Sequence, residues 1–299
     1  MPSDAKLREA FGEQNGQAMA QASLLYDILN KNVVAAELAT VKEGDDERTL
    51  LLKHVDKMLE MNLGKVIILA DRGYPSYHVI ETLRQKGLEF VFRVARGFNQ
   101  EIDVLPYGDH RIKMRRSTWK KGVIDVRVLK FPLSSGEDEV LITNVMDPEL
   151  TIADFTWLYW QRWGIETEYA VLKNKMELEN FSGRTELTIR QDFWAKMVIA
   201  EFVGAAYRAA QKTVDERMAL KNNKYEYRVN INYSIGVLKD DLIKSILEDD
   251  VKKQREKFER MLAKIAIRVV PVRLNRSPPR VSKSFNPKGR FEHNRKSNC

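Results

Sequence analysis

Four side chains in the stretch 153–179, ADFTWLYWQRWGIETEYAVLKNKMELE, have types and spacing suited to phosphate and metal chemistry. Tyr159, Arg162, Glu166 and Lys173 fall at offsets of 0, 3, 7 and 14. On one helix, at about 100° per residue, they lie within about 60° of one another. One stripe then presents a phenol, a guanidinium, a carboxylate and an ammonium. The rest of the stretch is apolar nearly all round, which predicts a buried helix. Charges on a buried helix are costly unless they are paired or coordinate something. An i,i+4 ion pair between Arg162 and Glu166 is the plain alternative. Glu168 is predicted on the opposite side, and Glu177 on the stripe. The tryptophans Trp157, Trp160 and Trp163 are expected mostly in the core, with Trp163 near the stripe. A further acid, Asp71, ends the apolar run KVIILAD. The carboxyl end of a buried strand is where open α/β sheets place ligands, and a carboxylate there suits Mg²⁺. Capping of a turn or helix is the competing use of Asp.

These residues need elements to hold them. SLLYDILN and VVAAELAT are aliphatic and β-branched enough to pair as a hairpin about Lys31-Asn32. A helix over 22–39 competes, because Leu24, Leu25, Ile28 and Leu29 also fit helical spacing. Residues 45–61 read as an amphipathic helix begun by Asp, KVIILAD as a strand buried on both faces, and 77–86 as a helix. From 88 to 147 the runs EFVFRVAR, HRIKMRR, IDVRVLKF and EVLITNV are strand-like, with SSGED as a turn. In the second of these, Arg111, Lys113 and Arg115 alternate and share one face, followed by Trp119 and Lys120-Lys121. That pattern suits DNA contact and equally a solvated, charge-protected edge. From 152 the chain reads as helical nearly to 266. The order of elements is that of an α/β domain interrupted by a β module.

Composition narrows the class. The chain has 299 residues with 50 Lys or Arg against 42 Asp or Glu, and 43% apolar residues, enough for a core. The single Cys, Cys299, excludes an internal disulfide framework and a Cys-based zinc site. A reducing compartment follows, and no apolar run is long enough to predict a membrane span. The charge is uneven: residues 251–299 hold fifteen Lys or Arg against three Glu, while the first 250 residues are net −4. The last thirty-one residues, with four prolines, read as a disordered basic arm that attracts nucleic acid or only solubilises the chain. His54, His78, His110 and His293 have no ligand spacing and are assigned no role.

The string Y-x2-R-x3-E-x6-K, here Tyr159, Arg162, Glu166 and Lys173, resembles the signature of bacterial insertion-sequence transposases of the DDE class. The branch it resembles has a β insertion before the catalytic Glu. ADRGYPS around Asp71, then SLLYDILN, RVLKF, EVLITN, QDFWAKM and Asn180-Phe181-Ser182-Gly183, are similar too, so the resemblance spans essentially the whole chain. It implies an α/β, ribonuclease-H-like core in 1–87 and 148–220, its first strand missing. A β-strand insertion in 88–147 interrupts it. A C-terminal helical region in 221–268 and a disordered basic tail in 269–299 follow. It further implies that Asp71 and Glu166 are catalytic acids binding Mg²⁺ or Mn²⁺, and that Tyr159, Arg162 and Lys173 bind DNA phosphates. Cleavage and strand transfer at transposon ends would be the reaction, double-stranded end and target DNA the partners. Pairing two ends implies a homodimer on DNA. The implied setting is the bacterial cytoplasm, at the nucleoid when DNA is bound, with no membrane.

The family's first acid lies in a D-G-T or D-G-S segment on the first strand. No such segment precedes Asp71 here, and Asp4 is a poor substitute. The chain is therefore expected to be N-terminally shortened and inactive alone. Two divalent ions are balanced by three carboxylates and a phosphate; one carboxylate is lacking. A non-catalytic DNA-binding fragment that interferes with intact transposase is the alternative, and a nuclease that hydrolyses without joining is a third.

Overall fold

The computed structural model describes residues 4–40, 43–115, 123–133 and 136–272. Helix α1 (Ala5–Phe11) starts at Asp4, whose carboxylate accepts the Lys6 N–H, and buries Leu7 and Phe11. The short β1 (Glu13–Gln14) and β2 (Gln17–Ala18) pair through Asn15 and Gly16, both at positive φ, as a tight hairpin turn requires. Strands β3 (Ala20–Asp27) and β4 (Asn32–Thr40) form an antiparallel hairpin, Ala20 opposite Thr40. The hairpin prevails over a helix at 22–39 for local reasons. The Asp27 carboxylate accepts the N–H groups of Leu29 and Asn30, and Lys31 is left-handed, which closes the turn. Leucines look helically spaced here because the hairpin is apolar on both faces: Leu24 enters one core and Leu25 packs against another.

Helix α2 (Glu47–Glu60), capped by Asp46, buries Leu50, Leu51, Val55 and Met58. After it come β5 (Ile67–Ala70), α3 (Tyr77–Gln85) capped by Ser76, and β6 (Glu89–Arg93). β6 is parallel to β5, with Ala70 opposite Phe92. The short α4 (Gln100–Asp103) leads to β7 (Gly108–Arg115), β8 (Val123–Pro132) and β9 (Asp138–Thr143). One mixed sheet results, in the order β5-β6-β9-β8-β7. The strands of 88–147 thus continue the sheet begun by β5. The sheet buries both faces. Phe90, Phe92, Val128 and Ile142 meet α2 and α3 residues, while Val91, Leu129 and Leu141 meet Phe155 and Tyr159 on the other side.

The stretch 153–179 is two helices, α5 (Ile152–Trp160) and α6 (Trp163–Asn174). Beyond them lie the long α7 (Glu186–Ala219), β10 (Tyr227–Val229), α8 (Ile231–Ile246), α9 (Val251–Ile267) and β11 (Val269–Pro271). β10 and β11 pair antiparallel. The run from 152 to 266 is therefore mostly helical, broken by β10 and by the connections between helices, of which 175–185 is the longest continuous one without a strand. The first residues of the expected disordered tail are a strand, because Val269 and Val270 complete that ladder. Residues 273–299, most of the tail, lie outside the described residues, as do Trp119 and Lys120-Lys121. No helix of the described residues is long and apolar enough to cross a membrane.

His54 in α2 is 2% exposed, with Nε2 2.9 Å from Ser23 Oγ. Burial pushes its pKa down to about 4, against the pull of Glu37. The unfolded imidazole titrates near 6.5, so between these values the unfolded chain binds more protons. Stability will therefore fall as pH drops from about 6.5 toward 4, by up to about 3 kcal/mol. Urea midpoints at pH 7 and pH 5 measure this. His54→Asn should lose stability more shallowly over the range, and an equal loss in both proteins would refute the assignment.

Candidate active site

Strand register explains how the charges gather. Leu69 lies opposite Val91, and both belong to the face under α5. Two residues further along, Asp71 and Arg93 share that face. β9 runs antiparallel to β6, with Arg93 opposite Leu141, so Glu139 joins the same face at the same end. Asp71, Arg93 and Glu139 thus form a row across the carboxyl ends of the parallel strands. Helix α5 covers the row and brings Tyr159.

Tyr159 Oη donates to Asp71 Oδ1 at 3.3 Å. Arg162 Nη2 lies 3.8 Å from Asp71 Oδ2, and Nη1 lies 3.2 Å from Glu166 Oε1. One guanidinium, only 11% exposed, therefore sits between two carboxylates that are 41% and 47% exposed. The plain i,i+4 ion pair is present, and its Arg162 is shared with Asp71, 91 positions earlier in the chain. Arg162 also lies 5.4 Å from the ring centroids of Tyr159 and Trp163. Burial pushes the Tyr159 phenol far above its ordinary value, although Arg162 opposes the shift. It stays a neutral donor.

The joint between α5 and α6 sets where Arg162 points. Gln161, Arg162, Gly164 and Ile165 each donate to the carbonyl three residues back. That tightened, 3₁₀-like run breaks the regular helix and turns the stripe. Gly164 sits in the joint, where its missing side chain weakens the helix, and packs near Ile28 of the β3–β4 turn. The tryptophans are not core. Trp157 and Trp160 are 61% and 68% exposed, and Trp163 is 43% exposed. They lie on the outward side of the joint, where an indole can cover apolar neighbours and still meet water.

Lys173 is not brought into the group. It lies two helical turns beyond Glu166, about 10 Å along the axis at 1.5 Å per residue. It pairs with Glu179 at 3.0 Å, and its side chain is 52% exposed. Glu168 does point away from Asp71, accepting from Tyr26 Oη at 3.3 Å. Glu177 is left-handed, beyond α6, and so leaves the stripe. Asp4 is the α1 cap. Arg111, Lys113 and Arg115 are all exposed on β7, four strands from β5 and about 19 Å away at 4.8 Å per strand.

Arg93 and Glu139 were not predicted for the site. Glu139 Oε2 pairs with Arg93 Nη2 at 2.9 Å, and Glu139 is 5% exposed. Burial raises its pKa, with Arg93, Arg72 and Arg162 opposing and Asp71 adding. The available sequence clue was periodicity. In EVLITN, Glu139 alternates with Leu141 and Thr143, so an acid occupies an otherwise inward face.

The transposase DDE domain model matches residues 3–201. No curated protein matches the chain in sequence. Among solved structures, the chain is similar to a piggyBac transposase in a synaptic complex with hairpin DNA. The TM-score is 0.48 and the identity 11%, covering 91% of this chain and 55% of the other. The chain thus spans about half the length of that relative. The family match takes in about two thirds of the chain, including Asp71, Tyr159, Arg162, Glu166 and Lys173. The chain belongs to the transposase DDE domain family.

Proposed function

We propose that this chain carries a DDE-type transposase site, in which Asp71 and Glu166 hold a divalent ion, Mg²⁺ or Mn²⁺, beside a phosphate of transposon-end DNA. The observation that carries this reading is the convergence of Asp71 and Glu166 on one cation, the Arg162 guanidinium, with both carboxylates still open to water. Two such carboxylates, completed by water and phosphate oxygens, suit one Mg²⁺ or Mn²⁺. A bound ion there supplies Lewis acidity at a phosphodiester oxygen, for cleavage and strand transfer. Arg162 gives a planar fork for phosphate, Tyr159 a neutral donor, and Lys173 a point charge further along the duplex. The exposed Trp163 beside Arg162 is an additional stacking surface for an unpaired base. Residues 1–87 and 148–220 are read as the ribonuclease-H-like core, and 88–147, which carries β6 to β9, as the insertion. End and target DNA are the partners, a homodimer on DNA the assembly, and the bacterial cytoplasm the setting.

A second reading has its own support. Among the described residues, no three His, Cys, Asp or Glu side chains cluster as metal ligands. Two carboxylates without a third favour a DNA-binding fragment that occupies ends and interferes with intact transposase.

Anisotropy titrations of a duplex taken from the DNA flanking the reading frame test the site. Mg²⁺ will tighten binding by the unaltered chain. Asp71→Asn and Glu166→Gln will abolish that gain. Arg162→Ala will weaken binding about tenfold and lower the salt slope by about one. Binding indifferent to Mg²⁺ in the unaltered chain would remove the reading.

A further inference from the structure

Two of the few buried side-chain atoms left without a hydrogen-bond partner among the described residues are Glu139 Oε1, an acceptor, and Arg162 Nε, a donor. They belong to side chains that already act on each other electrostatically. Buried polar atoms are rarely left unpaired, and a complementary donor and acceptor within electrostatic reach of each other call for a cause. Each group is meanwhile engaged elsewhere. Glu139 gives its other oxygen to Arg93, and Arg162 gives its two terminal nitrogens to Asp71 and Glu166.

The position of Arg162 raises an electrostatic conflict. Its charge lies between the two carboxylates assigned to the divalent ion, and a dication cannot enter without displacing it or suffering its repulsion. A guanidinium that leaves those carboxylates needs a new buried partner, or it is stranded in a poorly solvated place. Glu139 is that partner: nearly fully buried, on the same face of the sheet, with one oxygen unused. The 3₁₀-like joint at 161–165 gives Arg162 a place to pivot.

We propose that Glu139 is a positioning residue that receives Arg162 when a divalent cation occupies Asp71 and Glu166, so that ion binding and the re-aiming of Arg162 are one coupled event. The proposal rests on the assignment of Asp71 and Glu166 as cation ligands. Arg93 opposes the effect of burial on the Glu139 carboxylate and orients it for the exchange. The other charges facing Glu139 are Arg72 and Asp71.

A double-mutant cycle on the full chain reads this without any DNA reaction. Free Mn²⁺ is followed by electron paramagnetic resonance as protein is titrated. Arg162→Ala will tighten Mn²⁺ binding about tenfold by removing the competing cation. Glu139→Gln will weaken it about three- to tenfold, because Arg162 then has nowhere to go. In the Arg162→Ala background, Glu139→Gln will change affinity less than about twofold. An equal loss in both backgrounds would mean that Glu139 acts only as a distant negative charge, and would overturn the proposal. A second readout needs no Glu139 variant. Arg162 lies over the Trp163 ring, so Mg²⁺ alone will shift Trp163 emission in the unaltered chain, and Trp163→Phe will erase the shift. Mg²⁺ binding with no such shift also overturns the proposal. Asp71→Asn separates the two levels. If it leaves Mn²⁺ binding intact, the cation assignment itself fails; if it abolishes binding while the cycle shows no coupling, only the role of Glu139 fails.

Discussion

Mixed with Mg²⁺ and a duplex bearing the element's end, this chain by itself will bind the duplex and leave its strands unjoined. The expectation follows from charge. In-line phosphoryl transfer with two divalent ions sets four positive charges against three carboxylates and one phosphate. Here Asp71 and Glu166 supply two carboxylates, and the third acid on that face, Glu139, is engaged by Arg93. On the proposed assignment, these two carboxylates complement one ion. Losing one electrostatic partner of a transition state costs about 10²–10³ in rate, and losing a metal position costs more. A sequencing gel after prolonged incubation is the direct check. The stoichiometry of bound Mn²⁺ should be near one per chain. Joined product that disappears in Asp71→Asn would show that this inventory of carboxylates is wrong.

Much of the scaffold was legible because it is written locally. KVIILAD gives a strand with Asp71 at its carboxyl end, and β5 does end at Ala70 with Asp71 next. It is a short edge strand with Ile67 exposed, and not one buried on both faces, because the sheet extends only to the β6 side. The amphipathic pattern of 45–61 and its capping Asp46 give α2. The stripe of Tyr159, Arg162 and Glu166 was legible as chemistry but not as geometry. Periodicity assumes an unbroken helix, whereas the i→i+3 bonds around Arg162 depend on how α5 and α6 settle on β3, β4 and the sheet. The tryptophans misled for a related reason: an apolar residue type predicts burial only when a neighbour exists to cover it. Glu139 and Arg93 were hidden more deeply. They lie 46 positions apart, and only the antiparallel register of β6 and β9 brings them together. That register is set by Phe92 and Ile142 packing on one face and Val91 and Leu141 on the other, a tertiary choice that no single run of residues declares.

The largest loss of stability from one substitution is expected at Arg127, a residue remote from Asp71 yet tied to the helix that carries Tyr159. Arg127 is 2% exposed in the middle of β8, on the α5 side. Its Nε donates to Asp109 Oδ1 at 2.9 Å, its Nη1 to the Asp147 carbonyl at 2.6 Å and its Nη2 to the Leu150 carbonyl at 2.6 Å. The Phe155 ring lies 5.0 Å from the guanidinium carbon. One charge thus anchors β7, the 147–150 loop and the first turn of α5. Arg127→Met will leave the Asp109 carboxylate and two carbonyls without their donor, at a cost of about 3–5 kcal/mol in urea unfolding. DNA affinity should fall with it, since the loosened loop enters α5 at its Thr151–Asp154 capping box. Replacing both partners, Arg127→Met with Asp109→Leu, should recover part of the loss, because no unpaired charge then remains. The hydrogen bonds from Arg127 hold the Asp109 carboxyl below its usual range. The folded pKa is depressed, so this share of stability is present above the unfolded value near 3.9 and disappears as pH falls below it. Arg127→Met should lack that acid-dependent component. A loss under about 1 kcal/mol in the single variant, or a double variant less stable than the single, would show that the guanidinium is a passenger in β8 and not its anchor.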